Sequence, residues 1–136
     1  MQTYAREFMR YMDEKGVKYT EREENVVKVV YSGDNMDSIP VFVIFDEDND
    51  PLVQLKCWDV QNFKNNEASA LVVCNSLNYK YRWVKFYLDK DSDIVVSIDA
   101  MLDEDTCGAE CLSLVRRLVN ITDEAFPDIA RARWAQ

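Results

Sequence analysis

The sequence predicts an α+β fold, an antiparallel sheet covered by helices. Three observations predict it. Tyr4, Phe8, Tyr11 and Met12 recur at the spacing of one helical face. From Val17 to Trp58 the apolar period falls to two, the period of strands. Helical and strand patterns then alternate across hairpin-length connections, too short for the crossovers of a parallel sheet.

The first helix should end at Gly16, which can take the left-handed conformation that closes a helix. KYTERE, VVKVVY, IPVFVIF and LVQLKCW follow as four strands, separated by Glu24-Asn25, by residues 32–35 and by residues 46–51. In the fourth, Val53, Leu55 and Cys57 alternate with Gln54 and Lys56, so one face is buried and the other wet. NEASALVVCNSL is a helix capped by Asn65 or Asn66, with Ala70, Val73, Cys74 and Leu77 inward. Two strands come next, YRWVKFYLD and DIVVSIDAM; in the first, Val84, Phe86 and Leu88 oppose Tyr81, Trp83, Lys85 and Tyr87. Thr106 then caps a helix with Leu112, Val115, Leu118 and Val119 on one side. A last helical stretch starts at Thr122, with Pro127 beginning it anew or kinking it.

The chain has 136 residues, 48% hydrophobic and 12% aromatic, with a net charge of −9. That length supports one domain, residues 1–136, with its own core. The acidic balance argues against nucleic acid and anionic membrane as partners, and no run approaches a membrane span. The charged N-terminus lacks a secretory core, so a cytoplasmic location is expected.

Motifs for catalysis are missing. There is no histidine, and Gly16, Gly33 and Gly108 are isolated, so neither a P-loop nor a dinucleotide fingerprint can be written. Cys57, Cys74, Cys107 and Cys111 form no CxxC pair; they read as buried apolar side chains, although Cys107 and Cys111 could share a helix face toward a metal. Twenty-five acidic residues make any one carboxylate pair uninformative. We therefore expect no catalytic residue, no metal and no cofactor.

FYLDKDSDIVVSI, residues 86–98, opens like a calcium loop. Counted from Asp89, however, the sixth position is Ile94 and the twelfth Ala100, where glycine and a bidentate glutamate are needed. The acidic run from Asp46 fails likewise, at Pro51 and Cys57. Both read as acidic turns. YKYRWVKF interleaves bases and aromatics, but on a strand Lys80 and Arg82 point away from Tyr79, Tyr81 and Trp83, which separates charge from any stacking platform. Tyr81, Trp83 and Tyr87 form a wet aromatic face that either lies under a helix or is a protein-binding surface. Trp58, on the neighbouring wet face, is the fourth candidate.

Several residues together resemble the YbjN family of bacterial proteins, described as sensory transduction regulators and similar in fold to type III secretion chaperones. The resemblance spans about Ala5 to Ala132. Its markers are the helix-ending Leu77-Asn78, an aromatic strand closing in Leu88-Asp89 and Asp91, the hydrophobic strand to Leu102, and Ile121 to Ile129 with Asp123-Glu124-Ala125-Phe126-Pro127. The turn here reads Asp91-Ser92-Asp93 where a D-G turn would be more typical. The resemblance implies a strongly bent antiparallel sheet of five to six strands with helices packed on it. It also implies a homodimer that binds a protein or peptide client and is not an enzyme. A small-molecule-sensing domain with a closed pocket is the alternative, and a carboxylate- or cysteine-based enzyme the remote one.

Overall fold

The structure, a computed structural model, describes residues 2–47 and 50–135; Asp48 and Asn49, within the second acidic run, lie outside them. The elements run α1 (Thr3–Lys15), β1 (Thr20–Glu23), β2 (Val26–Tyr31), β3 (Ile39–Phe45), β4 (Leu52–Cys57), α2 (Glu67–Lys80), β5 (Lys85–Leu88), β6 (Ile94–Met101) and α3 (Cys107–Trp134). Six strands form one antiparallel sheet in the order β1-β2-β3-β4-β6-β5, bent but not closed into a barrel.

α1 begins where the Gln2 side chain accepts from the Ala5 N–H, and stops at Gly16, φ 68°. The Val17 and Gly16 amides return to the carbonyls of Met12 and Asp13, which closes the last turn. The Glu24-Asn25 turn puts Asn25 at φ 66°, and its side chain accepts from the buried Gln2 amide, 2.8 Å. This bond ties the start of the chain to the first hairpin.

The helices all lie on one face of the sheet. α3 crosses β3, β4 and β6, α1 packs on α3, and α2 packs on β5 and α3. Between them Phe8, Met12, Ile39, Leu55, Phe63, Phe86, Ile94, Leu118 and Ile129 are fully buried. Each such side chain contributes about 1.5–3 kcal/mol through the water it sheds. The expected inward residues of the fourth strand, of α2 and of α3 are all in this core. Val60 and Phe63 are too, because residues 60–63 pair with the start of β6 through Val60, Phe63 and Ile94 amides.

Two expectations are corrected. α3 runs unbroken through Pro127. Proline removes the N–H that would bond the Asp123 carbonyl, and the Asn35 side chain donates to that carbonyl instead, 3.0 Å. The freed acceptor is satisfied, so the helix does not stop. At the other correction, α2 continues to Lys80, and Trp83 sits at φ 80°, so β5 begins only at Lys85. The predicted alternation therefore holds only from Lys85, where Lys85 and Tyr87 oppose Phe86 and Leu88.

Candidate functional site

The FYLDKDSDIVVSI stretch is a turn. The Asp89 carboxylate accepts the Asp91 and Asp93 amides, 2.9 and 3.0 Å, and Ser92 takes φ 66° where glycine would be at ease. The Ser92 hydroxyl bonds the Glu67 carboxylate, which also accepts the Asn65 amide, so the turn is tied to the start of α2. Among the described residues, no three His, Cys, Asp or Glu side chains are grouped to hold a metal.

All four cysteines are free and buried. Burial pushes the Cys57 thiol to about 12 and the Cys74 thiol to about 11, and raises Cys107 and Cys111 as well. Near neutrality all four are protonated thiols, the unreactive form. The grooves between the elements, among them one of about 820 Å³ beside Gly16 and Thr20 and one of about 380 Å³ beside Tyr11 and Arg116, open to solvent.

The four aromatic candidates do not share a face. Tyr81 turns inward, its ring 6.0 Å from that of Phe86. Trp83 is 63% exposed and lies under the Arg117 guanidinium of α3, 4.8 Å from the ring. Tyr87 and Trp58 lie instead on the sheet face opposite the helices. The Tyr87 hydroxyl accepts from Lys56, 3.2 Å, and Trp58 packs on Phe42 with ring centroids 4.7 Å apart.

That face carries no helix among the described residues, although Val95 and Ser97 of β6 are buried on it. Strand alternation puts Val26, Val30, Pro40, Phe42, Ile44, Leu52 and Met101 on it, beside Tyr87 and Trp58. Val30, Leu52 and Met101 are exposed by 53%, 44% and 72%, with no helix over them. A groove of about 490 Å³ opens next to the aromatic pair, lined by Val26, Phe42, Ile44 and Trp58 together with Glu23, Glu24 and Glu47. An apolar sheet face left without a covering layer is a surface suited to a partner, since burying it is favourable in proportion to its area. Sequence reasoning found Trp58 and Tyr87 but missed Phe42, Ile44 and Leu52. The run IPVFVIF is apolar at every position, so it marks both faces as apolar without saying which one the helices take.

The outer side of α2 is the second uncovered surface. Leu71, Val72 and Tyr79 are exposed by 59%, 72% and 94%, opposite the buried Ala70, Val73, Cys74 and Leu77.

The family model described as "Putative bacterial sensory transduction regulator", YbjN, matches residues 6–131. The chain belongs to the YbjN family. Solved structures agree on the fold. The crystal structure of YbjN, "a putative transcription regulator from E. coli", superposes with a TM-score of 0.63 at 11% identity, covering 89% of this chain and 87% of that one. The Yersinia pestis type III secretion chaperone SycH, solved in complex with a fragment of YscM2, superposes with a TM-score of 0.57 at 15% identity, over 88% and 96%. A comparison with curated proteins finds no match. Against this YbjN fold, the markers Asn78, Asp89 and Asp123 have structural uses: Asn78 bonds the β5 edge, Asp89 the turn, and Asp123 the amides of residues 34–36. No helix among the described residues is long and apolar enough to cross a membrane.

Proposed function

We propose that this YbjN-family chain is a non-enzymatic, single-domain protein-binding module, a regulatory adaptor or chaperone-like domain that docks a segment of a client on its open sheet face. One observation carries the reading. Three helices cover one side of the sheet; on the other, Leu52, Trp58 and Met101 are exposed and Phe42 and Ile44 half-buried. The SycH structure, a chaperone bound to a protein fragment, lends support by analogy of fold. Client capture should fall strongly in a Trp58→Ala, Leu52→Asp variant and persist in Trp83→Ala, because Trp83 lies elsewhere. Equal loss in both, or in neither, rejects the open face.

The module works as a homodimer through the outer side of α2. That stripe, Ala68, Leu71, Val72, Asn75, Ser76 and Tyr79, carries no charge in a chain of net −9, so two copies meet there without like-charge repulsion. Leu71→Glu should convert a dimer to a monomer in sedimentation; a wild-type monomer at every concentration rejects it. The four unpaired thiols fit a reducing compartment, and the cytoplasm is the proposed location.

A further inference from the structure

The strand register aligns three lysines across the open face. Lys28 is paired with Phe42, Phe42 with Lys56, Lys56 with Ser97, and Ser97 with Lys85. Cross-strand partners share a face, so these residues form one row running the width of the sheet from β2 to β5. The lysines stand on alternate strands, hence about 10 Å apart. No carboxylate within salt-bridge distance meets any of them among the described residues. Lys28 lies over the Phe42 ring, 5.7 Å, and Lys85 over Tyr87, 5.3 Å, while Lys56 donates to the Tyr87 hydroxyl. In a chain of 25 acidic residues and 16 basic ones, three such lysines in register are a local reversal of charge. Asp99 is the one carboxylate of β6 that alternation puts on this side, and the glutamates Glu23, Glu24 and Glu47 gather at one end, past the row.

We infer that the segment docked on this face is an acidic amphipathic stretch of a partner protein, its carboxylates meeting Lys28, Lys56 and Lys85 while its apolar side chains cover Phe42, Ile44 and Leu52. This rests on the open-face reading above and adds the partner's chemistry. Net charge alone points to a basic partner; the lysine row reverses that for this surface. Lysine ammonium groups held over aromatic rings are already partly organised, and a carboxylate brought to them gains attraction that salt screens. On a helix, side chains seven residues apart rise by about 10 Å, which matches the lysine interval.

The test uses two labelled amphipathic peptides with identical leucine positions, one with glutamate and one with lysine at every polar position, titrated into the full chain. The glutamate peptide should bind at least about tenfold more tightly, a difference of about 1.4 kcal/mol, and lose that preference as salt rises. A Lys28→Glu, Lys56→Glu, Lys85→Glu variant should invert the preference; Lys85 is exposed and Lys28 and Lys56 half-buried, and unchanged circular dichroism certifies its fold. Leu52→Asp with Met101→Asp separates the two readings. If that variant abolishes both peptides but the wild type binds them equally, the face docks protein and the acidic-partner inference fails. If neither peptide binds, or the variant changes nothing, the open-face reading itself fails. A single-stranded oligonucleotide binding more tightly than the glutamate peptide also overturns the inference, since the row would then serve phosphates.

Discussion

Gly33 and Asp123 lie so close that a Cβ on the glycine would overlap the Asp123 carboxylate. The contact is a clasp between the β2–β3 loop and α3. The carboxylate accepts the amides of Asp34, Asn35 and Met36, each at 2.9 Å. Burial alone would raise its pKa, but the three N–H donors outweigh burial and hold it below the usual carboxylate value.

Gly33→Ala should therefore act by pushing the carboxylate out of its amides. We expect Gly33→Ala and Asp123→Ala each to cost about 1–3 kcal/mol in denaturant unfolding, and the double variant to cost little more than either. Simple addition of the two costs would show that the sites are independent. The pH dependence has a definite sign. A depressed carboxylate stabilises the fold above its unfolded pKa, and that stability is lost as pH falls through the folded value. Asp123→Asn should remove part of the wild type's loss of stability in acid.

The outer edge of β5 is closed by a side chain. Asn78 accepts from the Phe86 amide, 2.8 Å, and donates to the Phe86 carbonyl, 2.9 Å, so one asparagine takes the place of a strand. Asn78→Ala should cost about 1–3 kcal/mol and release the Phe86 amide to rapid hydrogen exchange. Asn78→Asp keeps the acceptor and loses the donor, so it should protect that amide while still destabilising the edge. A Phe86 amide exchanging slowly in Asn78→Ala would refute this.

Asp59 has the opposite titration sign. Desolvation, then a hydrogen bond to Asp93, then the charges of Asp93, Asp89 and Asp91 raise its pKa. The fold thus prefers the protonated form, and the stability this supplies below the ordinary carboxylate range is lost as pH rises through the raised value. Asp59→Asn should melt higher than wild type at neutral pH and converge with it in acid. Asparagine also suits the φ of 56° at this position. A lower neutral melting point for Asp59→Asn would contradict the reading.

Most of the fold was legible because burial here follows periodicity. Val53, Leu55 and Cys57, or Ala70, Val73, Cys74 and Leu77, have an inward side that the spacing alone identifies. Three things were not legible, each because the deciding contact is remote in sequence. Pro127 does not end α3 because Asn35, far up the chain, supplies the missing donor. Trp83 leaves the strand because α2 packs one turn further than its own pattern announces. The open face was only half visible: β3 is apolar on both sides, and which side meets α3 is settled by packing. The lysine row belongs to the same kind, since Lys28, Lys56 and Lys85 become neighbours only through the register of four strand pairings.

The clasp at Asp123 also orders events during synthesis. Asn35 and Asp123 are 88 residues apart, so the β2–β3 hairpin is made long before the helix that fastens it. Through that interval the growing sheet shows water two apolar sides, Val41, Val43 and Leu55 on one and Phe42, Ile44 and Leu52 on the other. α1 and α2 are made earlier, and Phe8 of α1 reaches Phe45, but the helix that crosses β3, β4 and β6 is α3. The last quarter of this polypeptide thus completes the cover of strands made long before it.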